Sequence, residues 1–246
     1  MFLLDTVAGR VRVAFTDRHG GLSQGPRGSL NLGGGPGSPA AVDVMVSANL
    51  SRVAEAFGVS TDDVVRMRQE HGRGVAVVDG PPAAAPTADA LVTRTPGPVL
   101  LARAADCVLV ALADPVRGVA AVVHSGRDGT LAGVIPAAVE ALRAAGAVEV
   151  RAWIGPRVCG ACYEVPEALR DRVAAAVPAT WSTTRRGTPG LDLGAGVRAQ
   201  LVAAGATVRD LAEDGPMCTM ESADLFSHRR QGQDAGRLGV AVQVQP

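Results

Sequence analysis

Between residues 40 and 57 the apolar positions Val42, Val46, Leu50, Val53 and Phe57 recur at three- and four-residue intervals, which predicts an amphipathic helix over Ala40–Phe57. Gly58 follows in the place where helices commonly stop. Beyond it the rhythm changes to short, branched runs bounded by Gly, Pro or Asp, the mark of strands. These are Val64–Arg68, Val75–Asp79, Asp89–Thr93, Val99–Ala104, Val108–Ala113 and Gly118–His124, with Asp114-Pro115 as a turn between two of them. Upstream, Val11–Phe15 reads as a strand and Gly20–Pro39 as a glycine-rich loop. Downstream, Thr130–Ala145 predicts a second helix with Thr130 as its cap, and Val148–Ile154 another strand. Pro166–Val177 and Ala195–Ala204 read as helices and Val240–Val244 as a last strand.

Helices therefore flank a long central run of strands without strict β-α-β alternation, which favours an α+β fold over a doubly wound sheet. The Ala-Pro stretch Pro81–Pro86 is too short to divide domains, so residues 1–246 are expected to form a single domain. Nearly half of the 246 residues are apolar, but aromatics make up only 3%, so the core must be built from Ala, Val and Leu.

Charge narrows the partners. The net charge is zero, all 24 basic residues are arginine, and no basic tract offers a footprint for a phosphate backbone, so nucleic acid is not expected. No window approaches a membrane span, and the short apolar start, Met1 to Leu4, lacks the basic leader of an export signal. Four cysteines without such a signal fit reduced thiols, and a cytoplasmic protein is expected, as a monomer or small homo-oligomer.

The chemistry-bearing residues are few. His71 stands in Gln69-Glu70-His71-Gly72 after an expected strand, with Gly72 as the residue that lets the chain turn; Cys107 follows Asp106 between apolar segments; His124 ends the most hydrophobic strand. Each alone also reads as an ordinary loop or core residue. Jointly, two imidazoles and a thiolate are a donor set suited to a catalytic zinc that keeps a fourth position for water or substrate. Asp106, an acid in an apolar run, needs a partner and is a candidate proton carrier or orienting group.

Other motifs compete. Cys159-Gly160-Ala161-Cys162 is half of a structural zinc site or a redox pair; the former needs two more ligands, and Cys218 and His228 are the spare soft ones. The glycine-rich loop has neither the Gly-Lys-Ser/Thr of a phosphate loop nor the dinucleotide fingerprint, and Gly-x-Ser-x-Gly is absent. Phe226-Ser227-His228-Arg229-Arg230, followed by Gly236-Arg237, is a compact cationic segment, an exposed loop or a grip for phosphate or carboxylate.

In order along the chain, Ser29-Leu30-Asn31-Leu32-Gly33, Gln69-Glu70-His71-Gly72, Ala88 to Thr93, Arg103-Ala104-Ala105-Asp106-Cys107, His124-Ser125-Gly126, Ile154-Gly155-Pro156, Tyr163-Glu164-Val165, Leu191-Asp192-Leu193, Cys218-Thr219, Phe226 to Arg230 and Gly236-Arg237 resemble one family. It is the multicopper polyphenol oxidase-like, or laccase-domain, family, whose bacterial members are also described as zinc-dependent purine nucleoside phosphorylases with adenosine deaminase activity. The resemblance implies an α/β/β/α sandwich with mixed sheets covered by helices, and a catalytic zinc on His71, Cys107 and His124, so that about one zinc per chain is expected. It implies a purine nucleoside and phosphate as substrates, gripped by Asn31, Arg103, His228 and Arg229, with phosphorolysis of the glycosidic bond or deamination as the reaction. Zinc is expected rather than the copper of the older name, because three scattered ligands do not build several copper centres. A zinc amidase that edits a cell-wall precursor is the alternative activity within the same family.

One departure stands out. Relatives read His-Ala-Gly-Trp-Arg-Gly-Thr where this chain reads His124-Ser125-Gly126-Arg127-Asp128-Gly129-Thr130. If the side chains of Arg127 and Asp128 line the metal cavity, the acid repels phosphate and phosphorolysis is weakened, or the chain is a non-catalytic metal-binding relative.

Overall fold

The computed structural model describes residues 1–33, 40–215 and 217–246; residues 34–39 of the expected glycine-rich loop lie outside the described residues. The strands are β1 (Phe2–Ala8), β2 (Val11–Thr16), β3 (Val64–Arg66), β4 (Val75–Val77), β5 (Ala90–Thr93), β6 (Val99–Ala104), β7 (Val108–Asp114), β8 (Val119–Ser125), β9 (Arg151–Ile154), β10 (Trp181–Thr183), β11 (Pro189–Leu191), β12 (Thr207–Asp210) and β13 (Leu238–Val244). The helices are α1 (Ala40–Phe57), α2 (Arg127–Ala132), α3 (Val134–Ala144), α4 (Glu167–Ala176), α5 (Leu193–Ala203) and the single turn α6 (His228–Gln231).

Two sheets stack face to face. One has the order β1-β2-β13-β6-β3 and the other β12-β9-β7-β8-β5-β4. Both are mixed: β3 runs parallel to β6, β4 to β5 and β12 to β9, while the central pairs are antiparallel.

Strand alternation explains the layering. Leu109, Ala111 and Ala113 of β7 point into the space between the sheets, where they meet Phe15, Leu100, Val240 and Val242. Val110 and Leu112 point the other way, onto Ile135, Leu142, Val197 and Leu201 of α3 and α5. On the far side Ala14, Leu101 and Ala241 pack beneath Val46, Leu50, Val53 and Phe57 of α1. A sheet covered on both faces needs apolar residues at every position, which is why β7 and β8 read as unbroken apolar runs. The result is the helix–sheet–sheet–helix sandwich that the resemblance implied.

Departures from the expected elements have local causes. The single helix expected over Thr130–Ala145 is two helices, because Gly133 adopts a left-handed conformation (φ 83°) that ends α2 and opens α3. Thr130 is no cap; it lies inside α2, its hydroxyl donating to the Gly126 carbonyl at 2.9 Å. The helix expected from Ala195 starts at Leu193, because the Asp192 side chain caps it through the Ala195 N–H at 2.9 Å. Strand β1, with its alternation of half-buried and exposed positions at the sheet edge, was not expected from the sequence, nor were the short β10, β11 and β12.

Candidate metal centre

The antiparallel register of β7 and β8 pairs Val108 with Ser125 and Leu109 with His124. Cys107, just before β7, therefore lies beside the end of β8 that carries His124. Strand β5 pairs with β8 on its other side, Ala90 against Val123, so Asp89 arrives next to His124 as well. His71 comes from the loop between β3 and β4. A parallel bridge between Arg68 and Thr87 and the Gln69 side chain on the Arg103 backbone hold the start of that loop, and Asp89 holds its turn at His71. Its buried carboxylate accepts from the backbone N–H groups of Gly72 at 2.7 Å, His71 at 3.1 Å and Glu70 at 3.3 Å, and from His124 Nδ1 at 2.8 Å.

These constraints bring His71, Cys107 and His124 together. One ligand atom of each lies within 4.8 Å of the others, and His71 Nε2 is 3.8 Å from Cys107 Sγ. Tetrahedral zinc with bonds of about 2.0–2.3 Å places such donors roughly 3.3–3.6 Å apart, so the set needs only small side-chain movements to close on a cation. His124 meets Asp89 through Nδ1, which leaves Nε2 for a metal. A Cβ at Gly126 would stand 2.6 Å from His71 Cδ2 and 3.1 Å from Cys107 Sγ, so only glycine leaves room for this convergence.

The electrostatics suit a cation. Burial lowers the His124 pKa against the opposing pull of Asp89, keeping the imidazole neutral and ready to ligate. Burial acts to raise the pKa of Asp89, but the bonds from His124, Gly72 and Glu70 prevail and the carboxylate stays ionised. Burial, then the neighbouring Asp106, pushes the Cys107 thiol up to about 12. A bound divalent cation is the means by which such a thiol ionises at neutral pH.

Two residues here hold backbone conformations rare for non-glycine residues, His71 (φ 62°) and Asp106 (φ 83°). The turn expected at Gly72 is thus made by His71 itself, and Gly72 serves by offering its N–H to Asp89.

Asp106 is beside Cys107, yet both its oxygens are engaged. The Thr219 hydroxyl donates to one at 2.5 Å and the Arg229 backbone N–H to the other at 2.6 Å. This carboxylate holds two distant segments.

The three donors line a cavity of about 620 Å³. Its walls carry Arg27, Arg68, Arg103, Arg237, Gln69 and His228, and among the described residues no carboxylate lines it. Burial, reinforced by Arg66 and Arg237, lowers the Arg103 pKa to about 10, and its Nε has no partner among the described residues. Crowded, desolvated guanidinium groups with an unused donor are what an anion would relieve.

Of the expected substrate contacts, Arg103 and His228 line this cavity, whereas Asn31 and Arg229 do not. Asn31 lines a second pocket of about 300 Å³ that shares Arg27 and Val42 with the first; its Oδ1 accepts from the Gly33 and Arg237 N–H groups, and Nδ2 donates to the Gly33 carbonyl. The Arg229 guanidinium lies 4.6 Å from the Tyr163 ring centre and donates to the Glu164 carbonyl. The reversed charge expected at Arg127-Asp128 is not in the cavity either. The two side chains pair with each other, Nε to Oδ1 at 2.9 Å and Nη2 to Oδ2 at 3.0 Å, and Asp128 is half exposed.

Sequence reasoning missed Asp89, although the signal was present: an acid opening an all-apolar run, the same signal that singled out Asp106. Arg27 and Arg68 lie outside the matched motifs, whereas Gln69 stands in the motif that carries His71 and reaches the cavity beside it.

The family model described as multi-copper polyphenol oxidoreductase laccase matches residues 12–245. The chain is 52% identical over 242 residues to a purine nucleoside phosphorylase of Streptomyces griseus, covering 96% of this chain and 95% of the relative. It is 51% identical to a second such protein, from Streptomyces coelicolor, covering 97% of each. Among solved structures it superposes on YlmD from Geobacillus stearothermophilus with a TM-score of 0.85 at 28% identity, covering 97% and 93% of the two chains. A Neisseria meningitidis protein gives a TM-score of 0.85 at 27% identity, covering 100% and 99%.

Proposed function

The chain belongs to the multi-copper polyphenol oxidoreductase laccase family, and from that premise we propose that it is a zinc-dependent purine nucleoside phosphorylase. The observation that carries this reading is the juxtaposition of the His71–Cys107–His124 donor set with an arginine-walled cavity large enough for a nucleoside and phosphate. The relatives' names supply the substrate class.

The donor set fits zinc, with two imidazoles, one thiol and a fourth position left open. It does not supply the separate ligand groups that multicopper oxidation needs. When bound, zinc supplies Lewis-acid polarisation and a water of lowered pKa. Everything else falls to the chain. Asp89 fixes the tautomer and direction of His124 and ties down the His71 loop. Arg103 and Arg237 bind and orient the phosphate, one of whose oxygens attacks C1′ of the ribose. The bond from C1′ to the purine nitrogen breaks, and the base leaves with the electron pair and takes up a proton. His228, at the cavity wall, is assigned to the nucleoside. Asp106, through Thr219 and Arg229, holds the segment that carries His228.

Deamination of adenosine at the same site is a second activity, favoured by the three-donor count, which leaves a position for water. The test is a panel of adenosine, inosine and methylthioadenosine, with and without phosphate. Phosphate-dependent release of free base together with a sugar phosphate supports the reading. Base release that ignores phosphate overturns it.

A further inference from the structure

A second cluster of soft ligands lies outside the site described above. Cys159, Cys162, Cys218 and Glu221 each bring one donor atom to within 4.8 Å of the others. Two tight turns facing each other create it. In the first, Cys-x-x-Cys, the Cys162 N–H donates to the Cys159 carbonyl at 3.0 Å; in the second, Cys-x-x-Glu, the Glu221 N–H donates to the Cys218 carbonyl at 3.1 Å. A short parallel bridge between Arg157 and Cys218 sets the turns side by side. The Cys159 N–H points at Cys218 Sγ at 3.4 Å.

We propose that Cys159, Cys162, Cys218 and Glu221 form a second zinc site, structural rather than catalytic. The sequence left the Cys159/Cys162 pair in need of two more ligands; the fold supplies Cys218 and the carboxylate of Glu221. Three thiolates and a carboxylate are a tetrahedral donor set that closes the coordination sphere, the mark of a structural zinc. Such a set over-neutralises the cation, and Arg185 stands where it offsets the excess, donating from Nη1 to Cys162 Sγ at 3.3 Å and also to Glu221.

The site would brace one wall of the metal centre. Its first turn runs straight into Tyr163, on whose ring Arg229 lies, and its second contains Thr219, whose hydroxyl holds Asp106 beside Cys107. Clipping the two turns together fixes both contacts.

The experiment counts zinc in the reduced, full-length protein after incubation with zinc and gel filtration, for the unaltered chain and for Cys107→Ser, Cys162→Ser, Glu221→Gln and Cys107→Ser/Cys162→Ser. Two zinc ions per chain are expected, falling to one in Cys107→Ser and to one in Cys162→Ser, with none in the double variant. Cobalt loaded into Cys107→Ser should show the sulfur-to-metal charge-transfer bands of a thiolate-rich tetrahedral site, and these should vanish in the double variant. Glu221→Gln, a substitution at a half-exposed position that leaves the fold intact, should release the second zinc to chelator at least tenfold faster. A single zinc in the unaltered chain that survives Cys162→Ser overturns the proposal, as does a Cys107→Ser protein that binds none. Either result leaves the reading of the first site standing, because that site is counted separately by Cys107→Ser.

Discussion

The carboxylate of Asp89 meets His124 Nδ1 at 2.8 Å while also accepting three backbone N–H groups from the His71 loop, so one buried acid sets the geometry of two candidate ligands. Asp89→Asn keeps the size but removes the charge and turns a donor toward groups that are themselves donors. Zinc affinity at the first site should fall about 10–100-fold, the usual cost of losing a carboxylate behind a ligating histidine. Competition with a chelator measures it. Unchanged affinity would mean that Asp89 serves the loop alone.

Gly126 has an ordinary backbone conformation (φ −80°), so alanine there meets no backbone strain, only the His71 ring and Cys107 sulfur. Gly126→Ala should therefore lose the zinc of the His71–Cys107–His124 site while changing fold stability by less than about 1 kcal/mol. Zinc content and thermal unfolding of the same preparation give the two readings. Full zinc occupancy in this variant would contradict the packing argument.

In the arginine-walled cavity, Arg103→Gln removes one charged donor from the proposed phosphate position while sparing the metal ligands. A charge-assisted hydrogen bond is worth about 1.5–3 kcal/mol, which predicts a KM for phosphate raised about 10–100-fold. Adenosine deamination, which uses no phosphate, should change much less. Equal losses in both reactions would place Arg103 in the scaffold rather than on the anion.

Arg127 and Asp128 neutralise each other at the surface, and exposed pairs of this kind are worth about 0–1 kcal/mol. Introducing the Trp-Arg pair that the resemblance implies, by Arg127→Trp with Asp128→Arg, should leave phosphate-dependent turnover within about twofold. A large gain would show that these side chains swing into the cavity.

Away from the site, Asp114 ties the β7–β8 turn to the start of the segment leading into β9. One oxygen accepts from Val116 and Arg117, the other from Val148 and Glu149. Burial acts to raise its pKa, but these four N–H groups prevail and hold it below the ordinary 3.8. A carboxyl whose pKa is depressed by folding contributes stability that is complete above its unfolded value and fades as pH falls through the folded one. Asp114→Asn should thus lower the melting temperature at pH 7, and the gap to the unaltered protein should narrow below about pH 4. A gap independent of pH would contradict the assignment.

Much of this was legible in the chain. Short branched runs marked β7 and β8 as strands, and His71, Cys107 and His124 stood out as soft ligands beside glycine or acid. Local rules could not reveal what long-range packing decides. Asn31 and Arg229 belong to motifs yet do not line the cavity, whereas Arg27 and Arg68, outside any motif, do. The break at Gly133 hid inside a continuous helical pattern, because glycine in a helix is a modest penalty until the chain turns left-handed there. The edge strand β1 escaped notice because its apolar residues are only half buried.

The central claim is that His71, Cys107 and His124 hold a zinc that works with phosphate on a purine nucleoside. Its most direct test is the formation of ribose 1-phosphate from adenosine or inosine by the zinc-loaded protein and by Cys107→Ser. The account predicts phosphate-dependent formation by the unaltered chain and its loss in Cys107→Ser, together with one zinc ion. Ribose 1-phosphate formed equally well by Cys107→Ser, or by neither protein, would contradict it.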